Sequence, residues 1–134
     1  MATVLVDSNV LLDVLTEDPS WYRRSASALS RIADRADLAL NPIIYAEISV
    51  GFDSMEELEE AVPPNYFKRL SLPWDAAFLA GKCFVQYRRS TGAKRAPLPD
   101  FYIGAHAAVM GFELLTRDRS RYQTYFPDLC ILSP

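Results

Sequence analysis

Short apolar runs alternate along the chain with longer segments in which apolar residues recur at helical spacing. The short runs predict β-strands near residues 3–6, 38–40, 66–70, 113–116 and 129–132. The longer segments predict helices near residues 10–17, 21–35, 42–50, 54–62, 73–89, 100–110 and 119–125. Strands that alternate with helices typically form a parallel sheet covered by helices. The pattern therefore predicts an α/β fold with a mostly parallel central sheet.

Capping residues mark several of the predicted helix starts. Ser8 and Asn9 can cap the first helix, and Asn41-Pro42 combines a capping side chain with a proline suited to the first helical position. Asp100 is predicted to open the helix that follows the Pro97-Leu98-Pro99 turn. A carboxylate at such a position bonds free backbone N–H groups and complements the helix dipole.

The composition of the chain is typical of a compact globular domain. The chain has 134 residues, of which 50% are hydrophobic and 23% charged, so a single domain over residues 1–134 is expected. Cys83 and Cys130 lie in apolar stretches without zinc-ligand spacing, which predicts reduced core thiols. No basic leader or long apolar segment is apparent, so a cytoplasmic protein with no membrane contact is expected.

Charge is distributed unevenly between the two parts of the chain. Residues 1–81 contain six Lys or Arg and thirteen Asp or Glu, whereas residues 82–134 contain eight Lys or Arg and four Asp or Glu. The basic excess of the second part permits an anionic partner on one face, although basic residues are also ordinary solvent-facing residues.

Four carboxylates occupy positions where a parallel sheet binds ligands, which is outside the carboxyl ends of its strands. Asp7 directly follows the first strand, and Asp118 comes soon after the strand that ends near Thr116. Glu47 and Asp100 lie on otherwise apolar helices. Each has a simpler explanation: Asp100 as a helix cap, Glu47 as a surface acid, and Asp118 as part of a surface cluster of charges. Asp7 is the hardest to explain as surface.

A convergence of these four acids would be unstable without a cation, because like charges repel. Hard oxygen ligands favour Mg²⁺ or Mn²⁺, and such an ion can activate water and brace the charge of a phosphate. Seventeen acidic residues also allow accidental quartets, so spacing by itself is weak evidence.

Four sequence motifs resemble those of PIN-domain nucleases, especially VapC-type toxins. They come in the family's order, and each lies in the expected structural context, at residues 4–12, 42–48, 98–107 and 114–119. The following Tyr125-Phe126-Pro127 is also similar to the family. The resemblance covers nearly the whole chain.

The resemblance implies an α/β/α sandwich and Mg²⁺- or Mn²⁺-dependent endonucleolytic cleavage of RNA. It implies that Asp7, Glu47, Asp100 and Asp118 take the acidic roles, with the metal held mainly by Asp7 and Asp100. Glu47 and Asp118 would then bind through water or hold a second ion. The supporting residues it implies are Ser8, Asn9 and Thr116. It further implies a homodimer and neutralisation by a small VapB-type antitoxin in a hetero-oligomer.

Two further expectations concern residues outside the acidic set. His106 is expected to be structural, because it is turned away from the helix face that carries Asp100. Basic residues of the second part are candidates for RNA contacts, namely Arg88, Arg89, Lys94, Arg95, Arg117, Arg119 and Arg121.

Three other classes of protein share part of this pattern. A haloacid-dehalogenase-type phosphotransferase needs a second Asp two residues after Asp7, where this chain has Asn9. A receiver-type phosphoacceptor needs adjacent acids after the first strand and a late lysine, and no lysine follows Lys94. A catalytically degenerate PIN-like module that binds RNA or a partner protein is the main alternative, and the complete set of four acids argues against it.

Overall fold

The computed structural model describes residues 2–91 and 98–134. The strands are β1 (Ala2–Val6), β2 (Ala36–Leu40), β3 (Phe67–Arg69), β4 (Glu113–Leu115) and β5 (Ile131–Leu132). The helices are α1 (Ser8–Leu15), α2 (Tyr22–Ala33), α3 (Pro42–Ser49), α4 (Met55–Ala61), α5 (Trp74–Thr91), α6 (Leu98–Met110) and α7 (Arg119–Tyr125). Every element predicted from the pattern is present, with ends that differ by a few residues.

The five strands form one sheet in the order β3-β2-β1-β4-β5, and every described pairing is parallel. The chain moves from β1 through β2 to β3 on one side and then crosses to β4 and β5 on the other. Right-handed crossovers in opposite directions place helices on both faces of the sheet. The predicted α/β/α architecture is therefore confirmed, and the strand order reverses between β1 and β4.

The sequences of the three central strands are apolar without alternation because both faces of these strands are buried. Both faces of β1, β2 and β4 lie under helices, so consecutive residues are excluded from water. Fully or almost fully buried residues of these strands include Val4, Leu5, Val6, Leu38, Ala39, Leu40, Leu114 and Leu115. The core is thus continuous through the centre of the sheet.

Two predicted helix starts need correction. The cap of α1 is Asp7, whose side chain accepts a hydrogen bond from the backbone N–H of Ser8, and not Ser8 or Asn9. Helix α6 begins at Leu98, so Asp100 lies within its first turn and does not open it. Asn41, in contrast, caps α3 as predicted by accepting from the backbone N–H of Ile44 at 2.9 Å. The sequence does not distinguish a carboxylate that caps a helix from one that faces a site, because both roles use the same residue types near a helix start.

The two cysteines differ in exposure. Cys83 is buried in the core, as predicted, whereas Cys130 is exposed and its thiol lies 3.6 Å from a carboxylate oxygen of Glu113. The prediction of a core thiol is therefore wrong for Cys130. Its carbonyl accepts from the backbone N–H of Leu114 at 3.0 Å, but the residue lies at the start of the edge strand β5, where its side chain is not covered.

Gly104 allows helix α6 to approach the segment that follows α7. A Cβ atom placed on Gly104 would overlap Cε2 of the Phe126 ring, which is itself buried. Any larger residue would force this ring, and with it the end of α7, away from α6. The close approach matters for the site, because α7 carries side chains that contact Asp7 and Asp100.

We expect Gly104→Ala to lower the free energy of unfolding by about 1–3 kcal/mol, since overpacking outweighs the gain in helix propensity of up to about 1 kcal/mol. Urea unfolding of the variant measures this loss. The control is a double-mutant cycle with Phe126→Leu, whose smaller side chain leaves room for the new methyl group. The double variant should be more stable, by at least about 1 kcal/mol, than the sum of the two single losses predicts. A Gly104→Ala protein as stable as the wild type would contradict the proposed contact.

Candidate active site

The site lies at the carboxyl edge of the sheet, where the strand order reverses between β1 and β4. Asp7 leaves β1 there, and its backbone N–H donates to the carbonyl of Leu115 at 2.9 Å. Thr116 leaves β4 beside it and is fully buried. Reversal points of this kind leave a crevice in open α/β sheets, because the chain departs to opposite faces from adjacent strands.

Asp7 is the most deeply buried acid of this edge, with only 3% of its surface exposed. Its Oδ1 accepts from the backbone N–H of Ser8 at 2.8 Å. Its Oδ2 accepts from the Thr116 hydroxyl at 2.7 Å and from the Tyr122 hydroxyl at 3.0 Å. Burial raises the pKa of Asp7 from 3.8 to about 6, and the nearby charge of Asp100 adds to this increase. The hydrogen bonds oppose the increase without cancelling it.

Asp100 is joined to Asp7 through the hydroxyl of Tyr122, which lies 3.3 Å from Asp100 Oδ1. The other oxygen of Asp100 accepts from Nη1 of Arg121 at 2.5 Å. Tyr122 is almost fully buried, and burial beside two carboxylates raises its pKa well above the usual value, so the hydroxyl keeps its hydrogen. One hydrogen therefore faces two carboxylate oxygens, and Arg121 is the one positive charge that contacts the pair among the described residues.

Glu47 reaches the same edge from helix α3. Its Oε1 accepts from the Ser8 hydroxyl at 2.9 Å, which ties the acid to the residue next to Asp7. Partial burial raises the pKa of Glu47, and the charge of Asp100 contributes to the same direction. The charge of Asp100 thus acts on both Glu47 and Asp7, which places the three acids in one electrostatic cluster.

The start of α3 is held by a buried contact between Asn41 and His106. The Asn41 side chain uses its oxygen to cap α3, so its amide nitrogen faces Nδ1 of His106 at 3.1 Å. Burial lowers the pKa of His106, which favours the neutral ring as the acceptor. His106 thereby links the helix that carries Glu47 to the helix that carries Asp100, consistent with the structural role expected for it.

Asp118 lies at the exposed rim of the site. Asn9 donates from its side-chain nitrogen to Asp118 Oδ2 at 3.3 Å and to the Thr116 hydroxyl oxygen at 3.4 Å. The Thr116 oxygen also accepts from the backbone N–H of Asp118 at 3.0 Å, while its own hydrogen goes to Asp7. Thr116 and Asn9 thus connect the rim acid to the buried one.

All seven residues predicted for the acidic site and its support lie in this connected network: Asp7, Ser8, Asn9, Glu47, Asp100, Thr116 and Asp118. The contact of Tyr122 with two acids is not predictable from the sequence pattern. A buried aromatic residue on a short helix is usually core, and nothing in the spacing indicates that its hydroxyl meets two acids. Arg121, a candidate for RNA contact by sequence, also pairs with Asp100, a contact that no local pattern indicates.

The basic candidates differ in what their side chains contact. The guanidinium of Arg117 pairs with the buried acid Asp13 at 3.2 Å and lies 4.8 Å from the centre of the Trp21 ring. Arg119 donates to the backbone carbonyl of Ile131 at 3.0 Å, so neither arginine forms the surface cluster considered for Asp118. Arg88 and Arg89 are exposed at the end of α5. Lys94 and Arg95 lie outside the described residues.

Comparison with known proteins identifies the family. The profile of the PIN domain matches residues 4–127, which is most of the chain. The chain belongs to the PIN-domain family. No protein of curated function matches its sequence.

Solved structures that resemble this PIN domain come from bacterial complexes. VapBC2 from Rickettsia felis, bound to a promoter DNA fragment, matches with a TM-score of 0.72 and 16% identity over 98% of each chain. FitAcB from Neisseria gonorrhoeae matches with a TM-score of 0.70 and 23% identity over 96% of each chain. A toxin–antitoxin complex from Klebsiella pneumoniae matches with a TM-score of 0.65 and 25% identity, over 96% of this chain and 95% of that one. These likenesses establish the shared fold.

In the part of the chain that the structure describes, no helix is long and apolar enough to cross a membrane.

The burial of Asp7 makes stability depend on pH in the metal-free protein. A carboxyl with a raised native pKa stabilises the fold while protonated, and this stability is lost as pH rises from 3.8 through about 6. Relative to wild type, Asp7→Asn should therefore become more stable by about 2–3 kcal/mol between about pH 4 and about pH 8 in EDTA. Urea unfolding of both proteins at each pH measures the difference.

The informative quantity is the change with pH in the difference between the unfolding free energies of Asp7→Asn and wild type. A hydrogen bond that the new amide side chain fails to make lowers stability equally at every pH, so it does not contribute to this change. The matched control is Asp118→Asn, which removes the same charge from an exposed position of the same network, and the effect of burial is the excess pH dependence of Asp7→Asn over this control. No excess over the control would show that the burial of Asp7 is not costly.

Proposed function

We propose that this PIN domain is a metal-dependent endoribonuclease that acts as the toxin of a toxin–antitoxin pair. PIN domains are generally nucleases, which supports hydrolysis of a nucleic-acid phosphodiester as the reaction class. The observation that carries the proposal is the connected network at the reversal point of the sheet. It brings acids from four separate segments to one crevice, although only one of them is needed to cap a helix.

The residues of the crevice fit a hard divalent cation. Within the described part of the chain no three His, Cys, Asp or Glu side chains form a ready-made metal cage. Mg²⁺ does not require one, because it is usually held by one or two carboxylates and keeps several waters or phosphate oxygens. Asp7 and Asp100 supply two such carboxylates on either side of a single hydroxyl hydrogen. Arg121 neutralises only one of the acids, and a bound cation would offset the remaining negative charge and relieve the raised pKa of Asp7 and Glu47.

Three of the four acids have a polar side chain of their own that would keep them in place, and Asp100 shares the Tyr122 hydroxyl with Asp7. We assign Asp7 and Asp100 as the principal metal ligands, with Mg²⁺ or Mn²⁺ as the ion, and Glu47 and Asp118 as ligands through water or to a second ion. When bound, the ion would supply an activated water and neutralise charge on the scissile phosphate. Ser8 holds Glu47, Thr116 holds Asp7, and Asn9 holds Asp118. Ordering of this kind reduces the reorganisation that the reaction would otherwise require.

The toxin role is supported by the proteins that share the fold. The Klebsiella pneumoniae structure is a toxin–antitoxin complex, and the VapBC and FitAB structures are further complexes, some of them bound to DNA. We therefore propose a cognate VapB-type antitoxin as a partner in a hetero-oligomer, and a homodimer of the toxin within it. A cluster of carboxylates suits an antitoxin arginine, since the guanidinium pairs bidentately with such groups. The adjacent reading frame should then encode a small DNA-binding protein.

RNA is proposed to approach along the end of helix α5. The ring of Tyr87 lies 5.9 Å from that of Phe101, the residue after Asp100, so the last turns of α5 are beside the start of α6. Arg88 and Arg89 follow Tyr87 directly and are exposed there. Arg117 and Arg119 stay proposed RNA contacts with less freedom to move, because their guanidinium groups also bind the protein itself.

The alternative function is a degenerate PIN-like module that binds RNA or a partner without cutting. The two are separated by incubating the purified protein with labelled RNA in Mg²⁺, in Mn²⁺ and in EDTA. Cleavage that requires a divalent ion supports the enzyme, and its absence under all conditions supports the module.

Asp7→Asn is expected to reduce the rate of RNA cleavage, and growth inhibition on expression, by at least about a hundredfold, because the variant loses a charge that would hold the metal. The control is Asp128→Asn, an exposed acid outside the network, which should cleave like wild type. Retention of near-normal cleavage by a folded Asp7→Asn protein would rule out the active-site assignment.

The approach of RNA is tested by removing Arg88 and Arg89 together as Arg88→Gln/Arg89→Gln. Each lost phosphate contact should reduce the log–log dependence of RNA affinity on salt by about 0.7 for a single strand. Affinity is measured in EDTA at several salt concentrations, so that the RNA is not cut. The matched control is Arg23→Gln/Arg31→Gln, which removes two exposed arginines from helix α2. An equal change in the salt dependence of both double variants would show that RNA does not approach along the end of α5.

A further inference from the structure

Both oxygens of Asp100 are already engaged within the chain. One lies 3.3 Å from the Tyr122 hydroxyl, and the other accepts from the Arg121 guanidinium at 2.5 Å. A metal ion bound by Asp100 needs at least one of these oxygens. A carboxylate oxygen can bind a metal ion and still accept a hydrogen bond, but a divalent ion there would lie beside the positive guanidinium of Arg121, and like charges repel. Metal binding at the proposed site therefore favours the withdrawal of one of the two partners.

The two partners differ in their freedom to move. Tyr122 is buried in the core and also bonds to Asp7, so its withdrawal would leave polar groups without partners inside the protein. Arg121 has a long side chain that is 51% exposed. Within the described residues, its guanidinium makes hydrogen bonds only to Asp100. Arg121 can leave Asp100 and be hydrated at little cost.

We propose that Arg121 is an exchangeable counter-cation of the acidic site, which neutralises Asp100 when metal is absent and is displaced from it when metal binds. The inference rests on the proposed function, since it assumes that Asp100 is a metal ligand. It assigns Arg121 the role of a competing cation that sets the metal concentration at which the site is filled.

The comparison with other arginines shows why the contact of Arg121 is distinctive. Arg119 lies on the same helix, but its guanidinium donates to the carbonyl of Ile131 and to the hydroxyl of Ser133. Arg117 pairs with Asp13, which is buried and also bonds to Ser25. Arg121 is the one of these three that meets an acid of the proposed catalytic network.

Competition of this kind predicts the sign of a substitution effect. In Arg121→Gln the carboxylate of Asp100 loses its competitor, so the variant should bind Mn²⁺ more tightly than wild type, by between about twofold and tenfold, as expected for a half-exposed ion pair. If Arg121 instead held Asp100 in a geometry that the metal needs, the same variant would bind Mn²⁺ more weakly. The direction of the change therefore distinguishes competition from simple support.

The first measurement is a Mn²⁺ titration followed by the electron paramagnetic resonance signal of the free ion, at constant ionic strength. Arg119→Gln is the matched control, because it removes the same charge from the same helix without freeing a carboxylate, and its affinity should match wild type. Tighter binding by Arg121→Gln alone supports the proposal. Unchanged or weaker binding by Arg121→Gln, or an equal gain in Arg119→Gln, overturns it.

The second measurement observes the exchange in the wild-type protein. The ¹⁵N–¹H signal of Arg121 Nε, assigned by its loss in Arg121→Gln, should shift with added Mg²⁺ in proportion to occupancy of the site. A signal that stays constant at saturating Mg²⁺ overturns the exchange, even if the metal binds. Failure of the proposed function gives a different result, because the wild type and both variants would then bind no Mn²⁺ at all.

Discussion

Asp7 must satisfy two conflicting requirements, and the arrangement of the site follows from how the fold meets them. The acid is buried between two central strands, where an isolated carboxylate is costly, yet both of its oxygens require hydrogen-bond donors. The backbone of Ser8, the hydroxyl of Thr116 and the hydroxyl of Tyr122 supply them from α1, from the end of β4 and from α7. These donors only partly offset the cost of burial, because the pKa of Asp7 stays raised.

The donors to Asp7 are also the means by which the other acids are located. Ser8 donates its hydroxyl to Glu47, and Tyr122 extends to Asp100. Thr116 accepts from Asn9, which holds Asp118. At the opposite side of the crevice, the buried pair Asn41 and His106 fixes helix α3 relative to α6 by a hydrogen bond that neither residue could make with water. The acids are therefore positioned by a shared polar network, and a disturbance at one of them is expected to reach the rest.

Electrostatics gives this network its proposed function. The acids of the crevice outnumber the one cation that pairs with them in the described residues, since Arg121 contacts Asp100 and the neutral hydroxyl of Tyr122 bridges Asp100 and Asp7. Three kinds of cation could make up the deficit: a divalent metal, the chain's own Arg121, and an arginine of a bound antitoxin. In this proposal the same acidic site holds a metal ion during catalysis, Arg121 when metal is absent, and an antitoxin arginine when the protein is inhibited. The basic residues near the end of α5 provide the complementary charge that RNA requires.

The sequence by itself determined the order and type of the elements and the set of acids. Apolar runs such as Val4-Leu5-Val6 indicate buried parallel strands whatever surrounds them, and the motifs around Asp7, Glu47, Asp100 and Asp118 carry the family resemblance. Only the tertiary structure decided that Asp7 is the cap of α1, that Cys130 is exposed, and that Tyr122 and Arg121 are partners of Asp100. The physical reason is distance along the chain. Local patterns reflect periodicity and burial, whereas a contact between residues 7 and 122 depends on strand order, on the crossover to β4 and on the close approach that Gly104 allows.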